Sequence, residues 1–130
     1  MIVVDTSVWA AALRGRDSST VATLNSLLDA DEIALALPVR LELLAGVARA
    51  DRAALRRVLT ALPVIHPDEA VWQRVEGWIE RAADRGQRFG LTDLLIGGMA
   101  DEIGALVWSL DDDFRRMEVL RFVRRYSPAG

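Results

Sequence analysis

Three acidic residues in the chain lack a nearby cation that would balance their charge. Asp5 ends an apolar run, Glu42 lies among leucines, and Asp93 opens an apolar stretch. If Glu42 and Asp93 lie on helices, the positions three and four residues away carry no basic residue. Because a buried, unpaired carboxylate is costly, three such groups imply a shared compensator, and a bound cation is the simplest one. The pattern therefore predicts a shared metal site.

A fourth acidic segment, Asp111-Asp112-Asp113, is ambiguous. Arg115 lies four residues after Asp111, and Arg115 or Arg116 is within reach of the other two acids. One of the three is expected to be only a helix cap. Either Asp111 or Asp113 can therefore join the metal site, and the spacing leaves that choice open.

Two other residues that could bind a metal are assigned different roles. Asp101 follows Asp93 by eight residues, which on a continuous helix separates them by about 12 Å. The two carboxylates therefore cannot share an ion. His66 is the only histidine and stands beside a proline, where a structural role is the expected one.

Apolar runs and helical patterns alternate along the chain, which indicates how these acids are positioned. Strands are predicted at 2–4, 33–37, 63–65, 105–108 and 120–123. Helices are predicted at about 6–13, 18–28, 38–46, 49–59, 68–84 and 92–102, with a short helix from Asp111 and a loop at 15–17. Thr6 or Ser7, Ser18 or Ser19, and Thr92 are the expected N-caps.

This alternation predicts one domain, residues 1–130, of the α/β class. We expect three α/β/α layers around a central, mainly parallel sheet. Asp5 and Asp111 then follow the carboxyl ends of strands, which is where active sites lie in such folds.

Composition excludes several chemistries. The chain has no cysteine, and all 16 of its basic residues are arginine. Disulfides, thiolate zinc sites, cysteine nucleophiles, P-loops and lysine Schiff bases are therefore excluded. The net charge of −3 argues against a nucleic-acid partner. If four acids bind metal, however, sixteen arginines less fifteen acids leave +1 for the rest. With no leader or long apolar run, the protein is expected to be soluble and cytoplasmic, with no membrane contact.

Four segments resemble the motifs of the PIN domain, in order and across essentially the whole chain. They are Val4-Asp5-Thr6-Ser7, Pro38-Val39-Arg40-Leu41-Glu42-Leu43-Leu44-Ala45-Gly46, Leu91-Thr92-Asp93-Leu94-Leu95-Ile96 and Ser109-Leu110-Asp111-Asp112-Asp113-Phe114. The chain is most similar to the toxin ribonucleases of the VapBC type. Each motif alone is weak evidence, but four in register are strong.

The resemblance implies one acidic pocket, which is formed here by Asp5, Glu42, Asp93 and Asp111, with Asp113 as the alternative to the last. Asp5 and Asp93 are the expected direct metal ligands. The other two acids bind directly, bind through water or orient the attacking water. Hard oxygen ligands favour Mg²⁺, with Mn²⁺ possible, over zinc.

The resemblance also implies an activity and partners. The activity is that of an endoribonuclease, which hydrolyses RNA phosphodiester bonds without a covalent intermediate. Ser7 and Ser109 match small hydroxyl residues that support the site. The implied partners are RNA, a small VapB-like antitoxin that wraps the toxin and blocks its acidic pocket, and a second copy of the chain. The apolar faces around Trp9 and residues 21–28 are the expected docking surfaces.

Two competing interpretations remain. A phosphatase with an aspartyl nucleophile at Asp5 needs a second aspartate two residues later, where the chain has Ser7, and a lysine that is absent. A PIN-like module that only binds proteins is the more serious alternative. The intact set of acids argues against it.

Overall fold

Four parallel strands form a central sheet in the order β3-β2-β1-β4. They are β1 (Ile2–Val4), β2 (Ile33–Ala36), β3 (Val64–Ile65) and β4 (Leu106–Trp108). The computed structural model describes residues 1–15 and 17–128, to which all assignments refer. The central strand β1 pairs with β2 in the register Ile2↔Ile33 and with β4 in the register Val4↔Trp108. The carboxyl ends of β1 and β4 are therefore neighbours.

Helices connect the strands. Within the described residues they are α1 (Thr6–Arg14), α2 (Ser18–Asp29), α3 (Leu37–Gly46), α4 (Arg52–Thr60), α5 (Glu69–Asp84), α6 (Leu91–Glu102) and α7 (Asp112–Val119), with a 3₁₀ turn at Arg49–Asp51. Every residue of β1 and β2 is buried, which requires helices on both faces of the sheet. The predicted three-layer α/β/α architecture with a parallel sheet is confirmed. In the part of the chain that is described, no helix has the length and apolar character to cross a membrane.

A glycine pair fixes the position of α6, the helix that carries Asp93. A Cβ atom on Gly97 would lie 2.9 Å from Cγ1 of Val123, and one on Gly98 would lie 3.1 Å from Cγ2 of Val75. A Cβ atom at either position would require the facing valine side chain to shift in a close-packed interior. The bare backbone therefore lets α6 lie close against α5 and the C-terminal segment.

The strand predicted at 120–123 is wrong. Helix α7 ends in a left-handed turn at Arg121, whose φ is 63°, and the backbone N–H of Phe122 donates to Met117 O. Phe122 and Val123 then enter the core. The only pairing near this segment within the described residues is one bridge between Val107 and Arg125. These apolar residues are buried, but they belong to the turn that ends α7 and not to a strand.

Three of the predicted helix starts lie slightly off. Asp5 and Asp17 cap α1 and α2 through their carboxylates, so the expected serine and threonine caps fall inside the helices. Gly90, and not Thr92, precedes α6. An aspartate carboxylate and a nearby serine hydroxyl can both accept a hydrogen bond from the backbone N–H groups at a helix start. The carboxylate is the stronger acceptor because it is an anion. Arg16, in the predicted loop at 15–17, lies outside the described residues.

Candidate active site

Asp5 and Asp111 lie at the ends of adjacent strands. Asp5 follows β1, caps α1 and continues the ladder to β4, since its N–H donates to Trp108 O at 2.8 Å. Asp111 follows β4 by a short connection and caps α7. Because the strands are parallel, both carboxylates emerge at the same edge of the sheet, as the sequence predicted.

Serine hydroxyls stabilise the buried carboxylate of Asp5, which is only 4% exposed. Its Oδ2 accepts from Ser7 Oγ at 2.7 Å and from Ser109 Oγ at 2.8 Å. No hydrogen bond reaches Oδ1 from the described residues. Oδ1 is not fully buried, because Trp9 Nε1 is the only fully buried side-chain nitrogen or oxygen without a partner in that part of the chain. Oδ1 is thus the oxygen of Asp5 that receives no hydrogen bond from the described residues.

The two serines also connect the end of β1 to the segment between β4 and α7. Leu110 N donates to Ser7 Oγ at 3.0 Å, and Asp111 N donates to Ser109 Oγ at 2.9 Å. The hydroxyls lie 3.2 Å apart. This network fixes the backbone that carries Asp111 relative to Asp5.

Asp93 lies in the first turn of α6 and has no cationic partner among the described residues. Burial raises its pKa to about 7, with further contributions from the negative charges of Asp5, Asp111, Asp113 and Glu42. These four acids are therefore close enough to Asp93 to act on its carboxyl group. The absence of a balancing cation, inferred from local spacing in the sequence, holds for Asp93 in the folded chain.

Asp93 forms a tight group with two acids of the ambiguous segment. One carboxylate oxygen from each of Asp93, Asp111 and Asp113 lies within 4.8 Å of the others. The structure thus brings both Asp111 and Asp113 to the site. Asp112 pairs instead with Arg115, at 2.8 Å and with both side chains more than 60% exposed.

Glu42 lies at the border of the site. It is exposed on α3, and its Oε1 accepts from Thr6 Oγ1 at 2.7 Å. It contributes to the raised pKa of Asp93 but is outside the group of three. No local pattern indicated that Thr6 would contact Glu42, because the two residues are 36 positions apart.

Asp113 is held by a residue that the sequence showed only as one possible partner. Arg116 Nη2 donates to Asp113 Oδ1, and Arg116 Nη1 donates to Gln87 Oε1. The spacing of Arg116 from Asp113 was visible in the sequence. Nothing local indicated Gln87, which lies in the connection between α5 and α6.

The residues fit a hard divalent cation. The donors are carboxylate oxygens, and of the three acids in the group only Asp113 pairs with an arginine among the described residues. His66 follows β3, is exposed and is not part of the group. Such a donor set suits Mg²⁺ or Mn²⁺ better than zinc.

Fold and site together define a class of protein: a parallel α/β/α domain with a carboxylate pocket at the carboxyl edge of its sheet. The chain belongs to the PIN-domain family, whose model matches residues 2–120.

The chain also resembles individual proteins. It is 32% identical over 119 residues to "Ribonuclease VapC11" of Mycobacterium tuberculosis, which covers 88% of this chain and 89% of that one. Its fold is similar to that in a structure of VapBC2 from Rickettsia felis bound to a promoter DNA fragment, with TM-score 0.79, 19% identity and coverage of 97% and 98%. It is also similar to FitAcB from Neisseria gonorrhoeae, with TM-score 0.77, 22% identity and 98% coverage of both chains.

Proposed function

We propose that this chain is a metal-dependent endoribonuclease that acts as the toxin of a toxin–antitoxin pair. The observation that carries the proposal is the shared carboxylate pocket, in which burial and then the charges of four other acids raise the pKa of Asp93. Perturbed acids in a common pocket are typical of catalytic centres. The name of the 32% identical relative, a VapC ribonuclease, supports RNA as the substrate.

Each acid has a proposed role. Asp5, through its free Oδ1, and Asp93 are the direct metal ligands. Asp111 completes the ligand set directly or through water, and Glu42 orients the attacking water from the border of the pocket. Ser7 and Ser109 hold Asp5 in place through Oδ2. When bound, Mg²⁺ or Mn²⁺ supplies an activated water nucleophile and offsets the charge that develops at the scissile phosphate.

The proposed partner is a small VapB-like antitoxin. Support comes from the similarity to structures described as VapBC complexes. An apolar groove of about 720 Å³ runs between α1, α3 and α4, with Thr6 and Glu42 at its border. A chain segment lying in this groove would reach the acidic pocket. Trp9 lines the groove but is only 3% exposed, and Leu24 and Leu27 of the other expected docking face are buried in the core.

We also propose that residues 1–130 form one domain, that the protein forms a homodimer and that it works in the cytoplasm, where its RNA substrate is found. The proposed contact with RNA requires no net positive charge on the whole chain. Neutralisation of the acidic pocket by a cation removes the local repulsion of phosphate.

RNA cleavage by purified wild-type protein with Mg²⁺ or Mn²⁺ tests the proposal. We expect cleavage that EDTA abolishes. Asp5→Asn and Asp93→Asn should reduce it by about 10³-fold, because metal-ion catalysis supplies several kcal/mol and each 1.36 kcal/mol is a factor of ten in rate. Expression of the wild type should slow bacterial growth, and expression of either variant should not.

Asp101→Asn is the matched control. Asp101 lies on the same helix as Asp93 but pairs with Arg74 at 3.1 Å, outside the pocket. This variant should cleave as the wild type does. If the wild type cleaves no RNA, or if the pocket variants cleave as well as Asp101→Asn, the ribonuclease proposal is wrong and the non-catalytic binding module is favoured.

A further inference from the structure

Two consecutive ion pairs on α7 have the same chemistry but different surroundings. Arg115 pairs with Asp112 at 2.8 Å, and Arg116 pairs with Asp113 at 2.5 Å; both pairs span three residues. The first pair is exposed, at 62% and 64%, whereas the second is about one-third exposed, at 35% and 33%. Only the second pair includes an acid of the pocket.

Arg116 is fixed at both ends of its guanidinium group. One nitrogen donates to Asp113 and another donates to Gln87 of the connection between α5 and α6. The group also lies over the Phe89 ring, 4.5 Å from its centroid. A planar donor held by a carboxylate, an amide and an aromatic face does not turn freely toward solvent.

Asp113 is therefore the exception among the acids of the pocket. Within residues 1–15 and 17–128, Asp5, Glu42, Asp93 and Asp111 form no ion pair. None of these four carboxylates has a cationic partner in that part of the chain. Asp113, in contrast, pairs with a partly buried arginine.

We propose that Arg116 is a positioning residue that holds Asp113 and offsets part of its charge, so that Asp113 lines the metal site without acting as a cation ligand. Asp111 is then the last acid of the ligand set. This inference rests on the proposed function only in that the pocket binds a divalent cation. It assigns Arg116 the role of limiting how much negative charge the metal-free pocket contains and how tightly the pocket binds metal.

Mn²⁺ affinity of the purified protein, measured by calorimetry at low ionic strength, tests the assignment. Arg116→Met keeps the packing on Phe89 but removes the charge, so we expect Mn²⁺ to bind about ten-fold more tightly. Structural damage would weaken binding and cannot mimic this result. Arg116→Lys keeps the charge and should remain within about two-fold of the wild type. If Arg116→Met does not fold, Arg116→Gln tests the same loss of charge.

Two further variants separate charge from ligation. Asp113→Asn leaves Arg116 unbalanced and should weaken Mn²⁺ binding by about ten-fold. The double variant Asp113→Asn/Arg116→Met restores the net charge, so its affinity should return to within about two-fold of the wild type. The matched control is Arg115→Met, which removes an exposed and screened pair away from the pocket and should leave affinity unchanged.

Several outcomes would overturn the inference. Weaker binding by Arg116→Met, or the same affinity as Arg115→Met, would show that its charge does not control the site. A double variant as weak as Asp113→Asn would make Asp113 a direct ligand. A wild type that binds no Mn²⁺ would remove the premise. A wild type that binds Mn²⁺ with these variant effects but cleaves no RNA would refute the ribonuclease proposal alone.

Discussion

The two halves of the acidic pocket stabilise their carboxylates in different ways. In the strand half, at the end of β1, the carboxylate of Asp5 is stabilised by hydrogen bonds from the hydroxyl groups of Ser7 and Ser109. In the helix half, at the starts of α6 and α7, Asp93 lies within 4.8 Å of two other carboxylates and its pKa is raised to about 7. Groups of the protein itself stabilise the carboxylate in the strand half, whereas Asp93 in the helix half has no cationic partner among the described residues.

This difference shows how a site can be both preorganised and ready to bind a cation. Hydrogen bonds to an ionised carboxylate favour the charged form, whereas burial beside like charges disfavours it. The strand half therefore keeps one ligand in a fixed orientation. The carboxylates of the helix half repel one another, and a bound cation would relieve that repulsion. Metal binding should therefore stabilise the folded chain.

Ser109→Ala tests the strand half and should have a large effect on RNA cleavage and on Mn²⁺ affinity. It removes a donor to Asp5 Oδ2 and the acceptor for Asp111 N. Loss of a group that orients a metal ligand typically costs 10–100-fold, and we expect a loss of roughly that size in RNA cleavage and in Mn²⁺ affinity. Ser26→Ala, an exposed position on α2, is the control. Unchanged activity in Ser109→Ala would show that Asp5 needs no hydroxyl support.

Asp93→Asn tests the helix half through its pH dependence. The pKa of Asp93 is raised from 3.8 to about 7 in the folded chain, so the folded state holds a proton that the unfolded state releases. Stability is therefore lost as pH rises through this window. The variant should stabilise the metal-free protein, with a gain about 1 kcal/mol larger at pH 8 than at pH 5 after allowance for solvent screening.

Urea unfolding in EDTA at the two pH values measures this gain. Asp29→Asn, an exposed change on α2, should show no such pH-dependent gain. If Asp93→Asn stabilised the chain equally at both pH values, the repulsion assigned to the helix half would be absent.

Glu42→Gln should have the smallest effect on the metal-free pocket, because Glu42 lies at its border and belongs to neither half. Of the four acids that raise the pKa of Asp93, Asp5 contributes most and Glu42 least. Carbon-detected NMR titration of the metal-free protein should show a smaller fall in the pKa of Asp93 in Glu42→Gln than in Asp5→Asn. Metal-free stability should change by less than about 0.5 kcal/mol, as is usual for an exposed residue. The reverse order of the two pKa changes would place Glu42 inside the helix half.

The acids of the site that could be predicted from the sequence are those that lack a basic residue at nearby positions. Glu42 and Asp93 lack a basic residue three or four positions away, and the folded chain supplies none to them in the described residues. Asp111 was uncertain because Arg115 lies four residues later. Asp111, however, is the cap residue with ψ 131°, so helical spacing does not apply to it. The sequence does not predict that backbone angle.

The sequence predicted the strands and helices whose apolar residues follow a regular pattern. It did not predict the turn at residues 120–123. The alternation of strands and helices follows from apolar runs separated by amphipathic ones. Leu120-Arg121-Phe122-Val123 also contains an apolar run, but the backbone at Arg121 is left-handed and these residues form a turn instead of a strand. An arginine gives no warning of such a conformation, which glycine usually adopts.

The bond between Ser109 and Asp5 joins positions 104 residues apart. A chain with such distant contacts folds more slowly than one built from local contacts, because the loop must close before the contact forms. During synthesis, Asp5 leaves the ribosome long before Ser109 and Asp111 are made. A truncated or nascent chain therefore carries no complete pocket. The acidic pocket can therefore assemble only after the segment from Ser109 to Asp113 has been synthesised and has reached the end of β1.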